Sequence, residues 1–335
     1  MSQQNDLRGQ RDRVAKVIAR AGLASRREAE SWIAAARVTV NGEVIASPAV
    51  TVGAQDKVAV DGRVLPARER TRLFLFHKPR GTLTAHRDPR GRATIFDILS
   101  KGLPRLVSVG RLDLNTEGLL LLTNDGALAR VLELPATGWL RRYRVRAHGR
   151  VTQEQLDALQ GGITIDGIRY GPIEATADRI QGDNVWLTFA IREGKNREVK
   201  NVLGHLGLAV NRLIRVSFGP FRLGDLAPGE IEEVRTRTLR EQLGPKVAAL
   251  AKLDFSAPRL GCKEAMRGSS LPAPAQLPNT ARKDEISAPR VAAQHRNKNG
   301  SRRTKKSSDD LGHIGAPERA RREKRRRRAP RHKRA

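Results

Sequence analysis

The acidic residue with the clearest potential for chemistry is Asp113, which lies in a polar loop just ahead of four consecutive leucines. The loop, residues 111–117, is bounded by Gly110 and Gly118. A short apolar run between turn residues predicts a buried strand, and such a strand holds the preceding residues rigidly. A carboxylate mounted in this way can act as a nucleophile or a base. In many turns, however, an aspartate only bonds neighbouring backbone amides.

Motifs for other kinds of chemistry are missing from the sequence. The seven histidines show neither an HExxH motif nor paired spacing, and the single cysteine, Cys262, excludes an internal disulfide and a cysteine-rich zinc site. The sequence also lacks a P-loop and a nucleotide-cofactor motif. We therefore expect a protein that works without a metal ion and without a small-molecule cofactor.

The charge of the chain is strongly positive. Its 335 residues contain 64 Lys and Arg against 35 Asp and Glu, for a formal net charge of +29. This excess indicates nucleic acid as the first partner to consider and an acidic membrane as the second. No apolar run approaches the roughly 18–20 residues that span a bilayer, and residues 1–10 lack a secretory core. We expect a cytoplasmic protein with no membrane partner.

The first folded unit is expected over residues 11–65, as two short helices followed by hairpins. Ser25 and Glu28 form a capping-box signature for the second helix, and the pairs at 41–42 and 61–62 are hairpin turns of the Asn-Gly or Asp-Gly type. The unit could be a small αβ domain with basic solvent-facing helices, but its dense positive charge favours contact with RNA phosphates. The basic residues assigned to this contact are Arg13, Lys16, Arg20, Arg26 and Arg27.

A larger unit is expected over residues 72–238, joined to the first by a polar linker at 66–71. Residues 141–147 alternate, so that Tyr143 shares the apolar face while arginines occupy the other face. From residue 255 onward, Pro, Ser, Ala and Gly mix with dense Lys and Arg. This composition predicts a disordered basic tail over 255–335, which either tethers RNA or serves only solubility.

The stretch Gly110–Gly126 resembles the signature of the pseudouridine synthases, in the branch that modifies ribosomal RNA and carries a small N-terminal RNA-binding domain. In that family the aspartate of the Arg-Leu-Asp triplet is the nucleophile, which implies this role for Asp113. A tyrosine after basic residues stacks on the target base, which implies this role for Tyr143. Arg111 would hold the base out of its helix by occupying the vacated space or gripping a phosphate.

A second segment, residues 193–200, resembles the family pattern Glu-Gly-Arg-Asn-Arg-Gln-Val-Arg, which sets a basic residue against the nucleophilic carboxylate. Lys200 is the best positional match for that basic residue, and Arg197 is the alternative. The sequence departs from the pattern at Lys195, Glu198 and Lys200. The departures matter because a lysine cannot replace the planar fork of an arginine.

The N-terminal unit resembles the S-four-type RNA-binding domain, through the run from Arg13 to Glu30 followed by Val38–Gly42. The two resemblances imply an α+β protein: a small αβ RNA-binding domain, a catalytic domain with a largely antiparallel sheet, and the basic tail. A His-Lys-Pro-x-Gly element that the family shares implies that His77 and Lys78 serve structure or RNA contact.

The function that the resemblance implies is isomerisation of a uridine to pseudouridine in RNA, without a cofactor. The implied partner is ribosomal RNA or a pre-ribosomal particle, bound by a monomer, with large-subunit RNA favoured over small-subunit RNA. The main alternative is a ribosome-associated RNA-binding protein that has lost catalysis. The intact Gly110–Gly126 motif and Tyr143 favour the enzyme.

Overall fold

The computed structural model describes residues 11–259; the expected tail falls outside the described residues except for 255–259, which form no helix or strand. The N-terminal unit has two helices, a four-stranded antiparallel sheet in the order β3-β2-β5-β6, and a β1–β4 pair. Its elements are β1 (Asp12–Arg13), α1 (Val14–Arg20), α2 (Arg26–Ala34), β2 (Val38–Val40), β3 (Glu43–Val44), β4 (Thr51–Val52), β5 (Val58–Val60) and β6 (Arg63–Val64).

Local sequence signals place these elements. The Glu28 backbone N–H donates to the Ser25 hydroxyl at 3.1 Å, and the Ser25 N–H donates to the Glu28 carboxylate at 3.3 Å, which forms the expected capping box of α2. Between β2 and β3, Asn41 and Gly42 both adopt positive φ, 55° and 92°. Two successive left-handed residues match the twist of a tight hairpin, which is why this pair turns the chain here.

The larger unit is built on a nine-stranded sheet whose main path runs β13-β14-β10-β15-β9-β7-β17, with β16 on β15 and β8 on β9. Its elements are β7 (Leu73–Lys78), α3 (Ile95–Ile98), β8 (Val107–Ser108), β9 (Thr116–Thr123), α4 (Gly126–Glu133), β10 (Arg141–His148), α5 (Gln153–Asp157), β11 (Ile163–Ile165), β12 (Ile168–Tyr170), β13 (Ile173–Gln181), β14 (Asn184–Ile191), α6 (Glu198–His205), β15 (Ala209–Phe218), β16 (Phe221–Arg222), β17 (Ile231–Glu233) and α7 (Thr236–Ala251).

The sheet is largely antiparallel, as expected. Each neighbouring pair in it is antiparallel except β9 and β15, which run parallel with Leu213 opposite Thr116 and Arg215 opposite Gly118. Two hydrophobic cores lie on its two faces. Leu120 and Leu122 of β9 belong to the first core with Tyr143 of β10, whereas Leu119 and Leu121 belong to the second, under α4 and α7. The leucine run is therefore a strand buried on both faces.

Helix α7 was not predicted from the sequence. It extends the packed structure past residue 238, and Leu239, Leu243 and Val247 are buried in the second core. The helical run is interrupted at Gly244, whose φ is 67°, with Pro245 next to it. Because a Gly-Pro pair is a strong turn signal, it conceals the four-residue spacing of the apolar side chains.

The segment expected to be a linker, residues 66–71, forms no helix or strand but is held at its end. Thr71 is buried, and its hydroxyl donates to the Asp125 carboxylate at 3.0 Å. Arg68 forms an ion pair with the same carboxylate at 2.8 Å. Arg68 and Thr71 therefore fasten this segment to Asp125 at the N-terminus of α4.

A side chain is excluded at Gly118, where β9 approaches β15. Gly118 has a φ of 102°, and a Cβ there would lie 2.3 Å from the carbonyl oxygen and 2.7 Å from the nitrogen of Arg215. Both clashing atoms are backbone, so they cannot move aside without displacing β15. Glycine is required by the close approach of the two strands as well as by its φ.

Lys78, the last residue of β7, holds the loop that carries Asp113 through hydrogen bonds to backbone carbonyl groups. This side chain has no solvent exposure, and its Nζ donates to the carbonyl oxygens of Pro79 at 3.1 Å and Thr116 at 3.0 Å. Burial lowers the pKa of Lys78 to about 8, against the raising effect of the charges on Asp113 and Glu117. Of the two expected uses of Lys78, the structure supports the structural one, because a fully buried ammonium cannot reach an RNA phosphate.

Replacing Gly118 with alanine tests the strand contact. We expect Gly118→Ala to lower the free energy of unfolding by about 3 kcal/mol, since the methyl group forces β9 and β15 apart. Gly42→Ala is the matched control, because Gly42 also has positive φ but nothing within 4 Å of its Cβ position. It should cost only about 1 kcal/mol. Urea unfolding measures both, and equal losses would contradict the proposed clash.

Lys78 predicts a pH dependence of stability. Its pKa of about 8 in the folded protein lies below that of the unfolded chain, so the folded protein binds fewer protons between about pH 8 and 10.5. Stability contributed by Lys78 therefore rises with pH across this window. Relative to Lys78→Met, the wild type should gain about 2 kcal/mol of unfolding free energy between pH 8 and 10.

Urea unfolding at several pH values measures this gain. Lys101→Met, which alters an exposed lysine, controls for general effects of removing a positive charge. If the wild type and Lys78→Met differ by a constant amount across the window, Lys78 does not titrate there.

Candidate active site

The candidate site is a cavity of about 570 Å³ on the face of the sheet that carries the first hydrophobic core, the core that contains Tyr143. Its walls come from segments far apart in the chain: the loop before β9, the start of β10, the turn before α6 and the middle of β15. The described residues 11–259 contain no group of His, Cys, Asp or Glu arranged to hold a metal ion. No helix within the same residues has both the length and the apolar character needed to cross a membrane.

Asp113 lies on the wall of this cavity, between two cations. Its Oδ2 is 3.6 Å from Lys200 Nζ and 4.0 Å from Arg197 Nη1. The lysine side chain is 16% exposed and the arginine side chain 55% exposed, so the lysine contact is the better shielded of the two. The structure thus brings together the acid and both basic residues that the sequence nominated.

The turn before α6 directs both cations. Arg197 adopts left-handed backbone geometry, with a φ of 51°, and α6 begins at the next residue. The buried Glu198 carboxylate accepts hydrogen bonds from the backbone N–H groups of Gly194 at 2.8 Å and Lys195 at 2.7 Å. Burial raises the pKa of Glu198, although these hydrogen bonds favour its ionised form. Glu198 thus closes the turn, and Lys200 lies in the first turn of α6, where its Nζ approaches the Asp113 carboxylate.

Tyr143 lines the cavity from β10. It is 7% exposed and belongs to the first core. Leu112 and Ile191 also contribute to the cavity wall. An aromatic ring beside apolar walls can stack on a planar base and enclose it.

Two buried arginines at the cavity were missed by the sequence analysis. Arg141 is 6% exposed, donates to the carbonyl oxygens of Trp139 at 3.1 Å and of Arg192, and lies 4.7 Å from the ring of Phe218. Burial lowers the pKa of Arg141. Arg215 is 3% exposed, and its Nε donates to the Leu119 carbonyl at 2.7 Å. The alternating pattern of β10 could have predicted that Arg141 is buried, because Arg141 lies on the same face of the strand as Tyr143.

The other nominated residues differ in their surroundings. Arg111 is exposed at the edge of the cavity. None of the five nominated residues of the N-terminal unit lines the cavity. Lys16 and Arg20 form ion pairs with Asp12 at 2.5 and 3.3 Å. The exposed members without an ion pair among the described residues are Arg13, Arg26 and Arg27.

Comparison with known proteins identifies two families that the sequence matches. The family model described as RNA pseudouridylate synthase matches residues 72–205, and the S4 domain model matches residues 12–58. An uncharacterized RNA pseudouridine synthase of Rickettsia prowazekii is 42% identical over 231 residues, covering 69% of this chain and 97% of the relative.

Two further relatives have more specific names. A protein of Pseudomonas aeruginosa named ribosomal large subunit pseudouridine synthase B is 36% identical over 323 residues, covering 93% of this chain and 82% of the relative. Its namesake in Haemophilus influenzae is 38% identical over 266 residues, covering 75% of this chain and 73% of the relative. Because relatives that are 36–42% identical to this chain over most of their length carry that name, this chain belongs to the RNA pseudouridine synthases.

Proposed function

We propose that this enzyme converts a uridine of large-subunit ribosomal RNA to pseudouridine, with Asp113 as the nucleophile. The reaction breaks the bond between the ribose C1′ and uracil N1 and forms a bond between C1′ and C5. The C5 proton is lost and a proton is gained at N1, so substrate and product are isomers and no cofactor is consumed. Asp113 attacks the nucleoside or, as the alternative first step, removes a proton from the ribose.

The observation that carries this proposal is the position of Asp113 between Lys200 and Arg197 at the cavity wall. A carboxylate attacks only when ionised, and two cations within 4.0 Å balance its charge and restrict its orientation. Lys200 is the main basic partner in this proposal, because its contact is shorter and less exposed to solvent.

The other site residues would hold the base while it is detached. Tyr143 stacks on the uracil, and Leu112 and Ile191 keep the free base from escaping. Arg111, exposed at the edge of the cavity, occupies the space that the flipped base leaves or grips a phosphate. Holding reactants in place contributes up to roughly 7–11 kcal/mol to barrier reduction. Retention matters here because the leaving group must return.

The choice of RNA rests on the relatives named ribosomal large subunit pseudouridine synthase B, one of which aligns with 93% of this chain. On this proposal the protein acts as a monomer in the cytoplasm, on ribosomal RNA or a pre-ribosomal particle. A small-subunit target is the second candidate, and a non-catalytic RNA-binding protein is the third. The intact arrangement of Asp113, Lys200 and Tyr143 favours catalysis over the third candidate.

Replacing Asp113 with asparagine tests the nucleophile. We expect Asp113→Asn to lower pseudouridine formation by at least about 10³-fold, since the amide cannot attack, while RNA affinity persists. Pseudouridine is mapped chemically across both ribosomal RNAs in a deletion strain rescued by wild type, by Asp113→Asn or by Asp225→Asn. Asp225 is an exposed aspartate that does not line the cavity, so its variant should restore the modification.

In this experiment a different outcome would contradict each part of the proposal. Restoration by Asp113→Asn would exclude Asp113 as nucleophile. A lost site in small-subunit RNA would correct the substrate, and no change at any ribosomal site would move the activity to another RNA or support the non-catalytic candidate.

The N-terminal unit yields a second prediction. We propose that Arg13, Arg26 and Arg27 contact RNA phosphates, because they are exposed and carry no ion pair within residues 11–259. Replacing all three with glutamine should lower the slope of log affinity against log salt by about 2, at roughly 0.7–0.9 per phosphate contact.

Three acid-paired cations of the same unit provide the control: Lys16 and Arg20 are bound to Asp12, and Arg37 is bound to Asp61 at 2.6 Å. Their triple glutamine variant removes the same charge but should change the slope less. Salt titrations of RNA binding by fluorescence anisotropy compare the two. An equal or larger change in the control would assign phosphate contact to the paired residues.

A further inference from the structure

A row of three arginines projects from β10 on the sheet face opposite the cavity. Side chains of a strand alternate between faces, and the odd positions, including Tyr143 and Val145, are buried in the first core. Arg142 and Arg144 are exposed, and Arg146 is half-buried. We call these three residues the outer arginine row. It takes no part in the cavity.

Within residues 11–259, no helix packs over this part of the outer face of the sheet. Helices α4 and α7 pack on the same face, but over Leu119 and Leu121 of β9 in the second core. Beside β10, strand β14 presents the partly exposed Trp186 and Thr188, which pair with Arg146 and Arg144 in register. The surface therefore offers cations, an aromatic ring and a hydroxyl in place of an apolar layer for another helix.

The outer arginine row carries positive charge that nearby acids do not balance. None of its members forms an ion pair or side-chain hydrogen bond within residues 11–259. Of the acids on this face, Glu117 is bound by Arg212 at 2.9 Å, and Asp178 accepts from the Thr188 hydroxyl at 2.9 Å. Glu174 lies on the edge strand β13, two strands away from β10.

The geometry of the row suits a regular polyanion. Alternate residues of a strand are about 6.6 Å apart, so the three guanidinium groups form a linear series with a spacing close to that of successive phosphates in an extended nucleic-acid strand. The central member is oriented by packing, because the Arg144 guanidinium lies 4.9 Å from the centre of the Trp186 ring. Such contacts position a backbone without reading its sequence.

We propose that the outer arginine row is a second RNA-binding surface, which holds the sugar–phosphate backbone of a segment other than the one in the cavity. The substrate of this family is RNA, and charge complementarity favours a polyanion on this face. Like charge disfavours the chain's own segment after residue 259 as the occupant, since that segment is dense in Lys and Arg. The site would let one folded RNA contact both faces of the catalytic sheet.

The test uses the full chain and a fluorescent oligoadenylate, which contains no uridine to occupy the cavity as a target. Binding is measured by anisotropy over a range of KCl concentrations, for wild type and for the triple variant Arg142→Gln, Arg144→Gln and Arg146→Gln. The slope of log affinity against log salt should fall by about 2 in the triple variant, because each phosphate contact on a single strand contributes roughly 0.7 to the slope. Affinity at fixed moderate salt should fall about tenfold.

The control is a triple variant with the same loss of charge, Arg130→Gln, Arg222→Gln and Arg237→Gln, at exposed arginines off the row. Its slope should stay within error of the wild type. Equal slopes for the row variant and this control overturn the proposal. If the row variant fails to fold in a thermal melt, the three single variants replace it, each with an expected slope change of about 0.7; unchanged slopes in all three overturn the proposal equally.

Discussion

Gly118 of β9 packs so closely against the backbone of Arg215 of β15 that no side chain fits between them. This contact joins the two strands on which the site depends. β9 and β15 run parallel there, so the segments that precede them arrive at the same end of the sheet. One segment is the Asp113 loop and the other leads from α6, which carries Lys200. At that end of the sheet the charged groups of Asp113 and Lys200 lie 3.6 Å apart.

Cations bonded to backbone carbonyls surround this site. Lys78 holds the loop through Pro79 and Thr116, and Arg141 holds the turn at Arg192. Buried polar groups require hydrogen-bond partners, and carbonyl oxygens satisfy them without cancelling their charge. Lys78 and Arg141 therefore keep their positive charge close to the cavity that Asp113 lines. This arrangement stabilises the loops and also suits a polyanionic substrate.

Positive charge serves different purposes in different parts of the molecule. Lys16 and Arg20 are bound to Asp12, so they contribute less to the surface potential than a count of basic residues suggests. Arg142 and Arg144 of the outer arginine row have no such partner in the part of the chain that the structure describes, and they are exposed there. A net charge of +29 indicates an RNA partner, but the local acids determine which cations can reach it.

Much of the fold was predictable because its signals are local. The capping box at Ser25, the turn at Asn41-Gly42, the buried leucine strand and the alternation around Tyr143 each depend on residues close together in the chain. The motif around Asp113 is likewise continuous, and its resemblance to the family required no structure. Helix α7 escaped prediction because Gly244 and Pro245 interrupt its pattern.

By itself, then, the sequence determined the family, the local elements and the candidate acid, since all three are properties of short continuous stretches. The tertiary structure decided that Lys200 and Arg197 both approach Asp113, that Lys78 is buried beneath the loop and that Arg141 turns inward. It also decided which half of the outer sheet face α4 and α7 cover. These outcomes depend on surfaces that meet across the sheet, and residues far apart in the chain carry no local signal of that meeting.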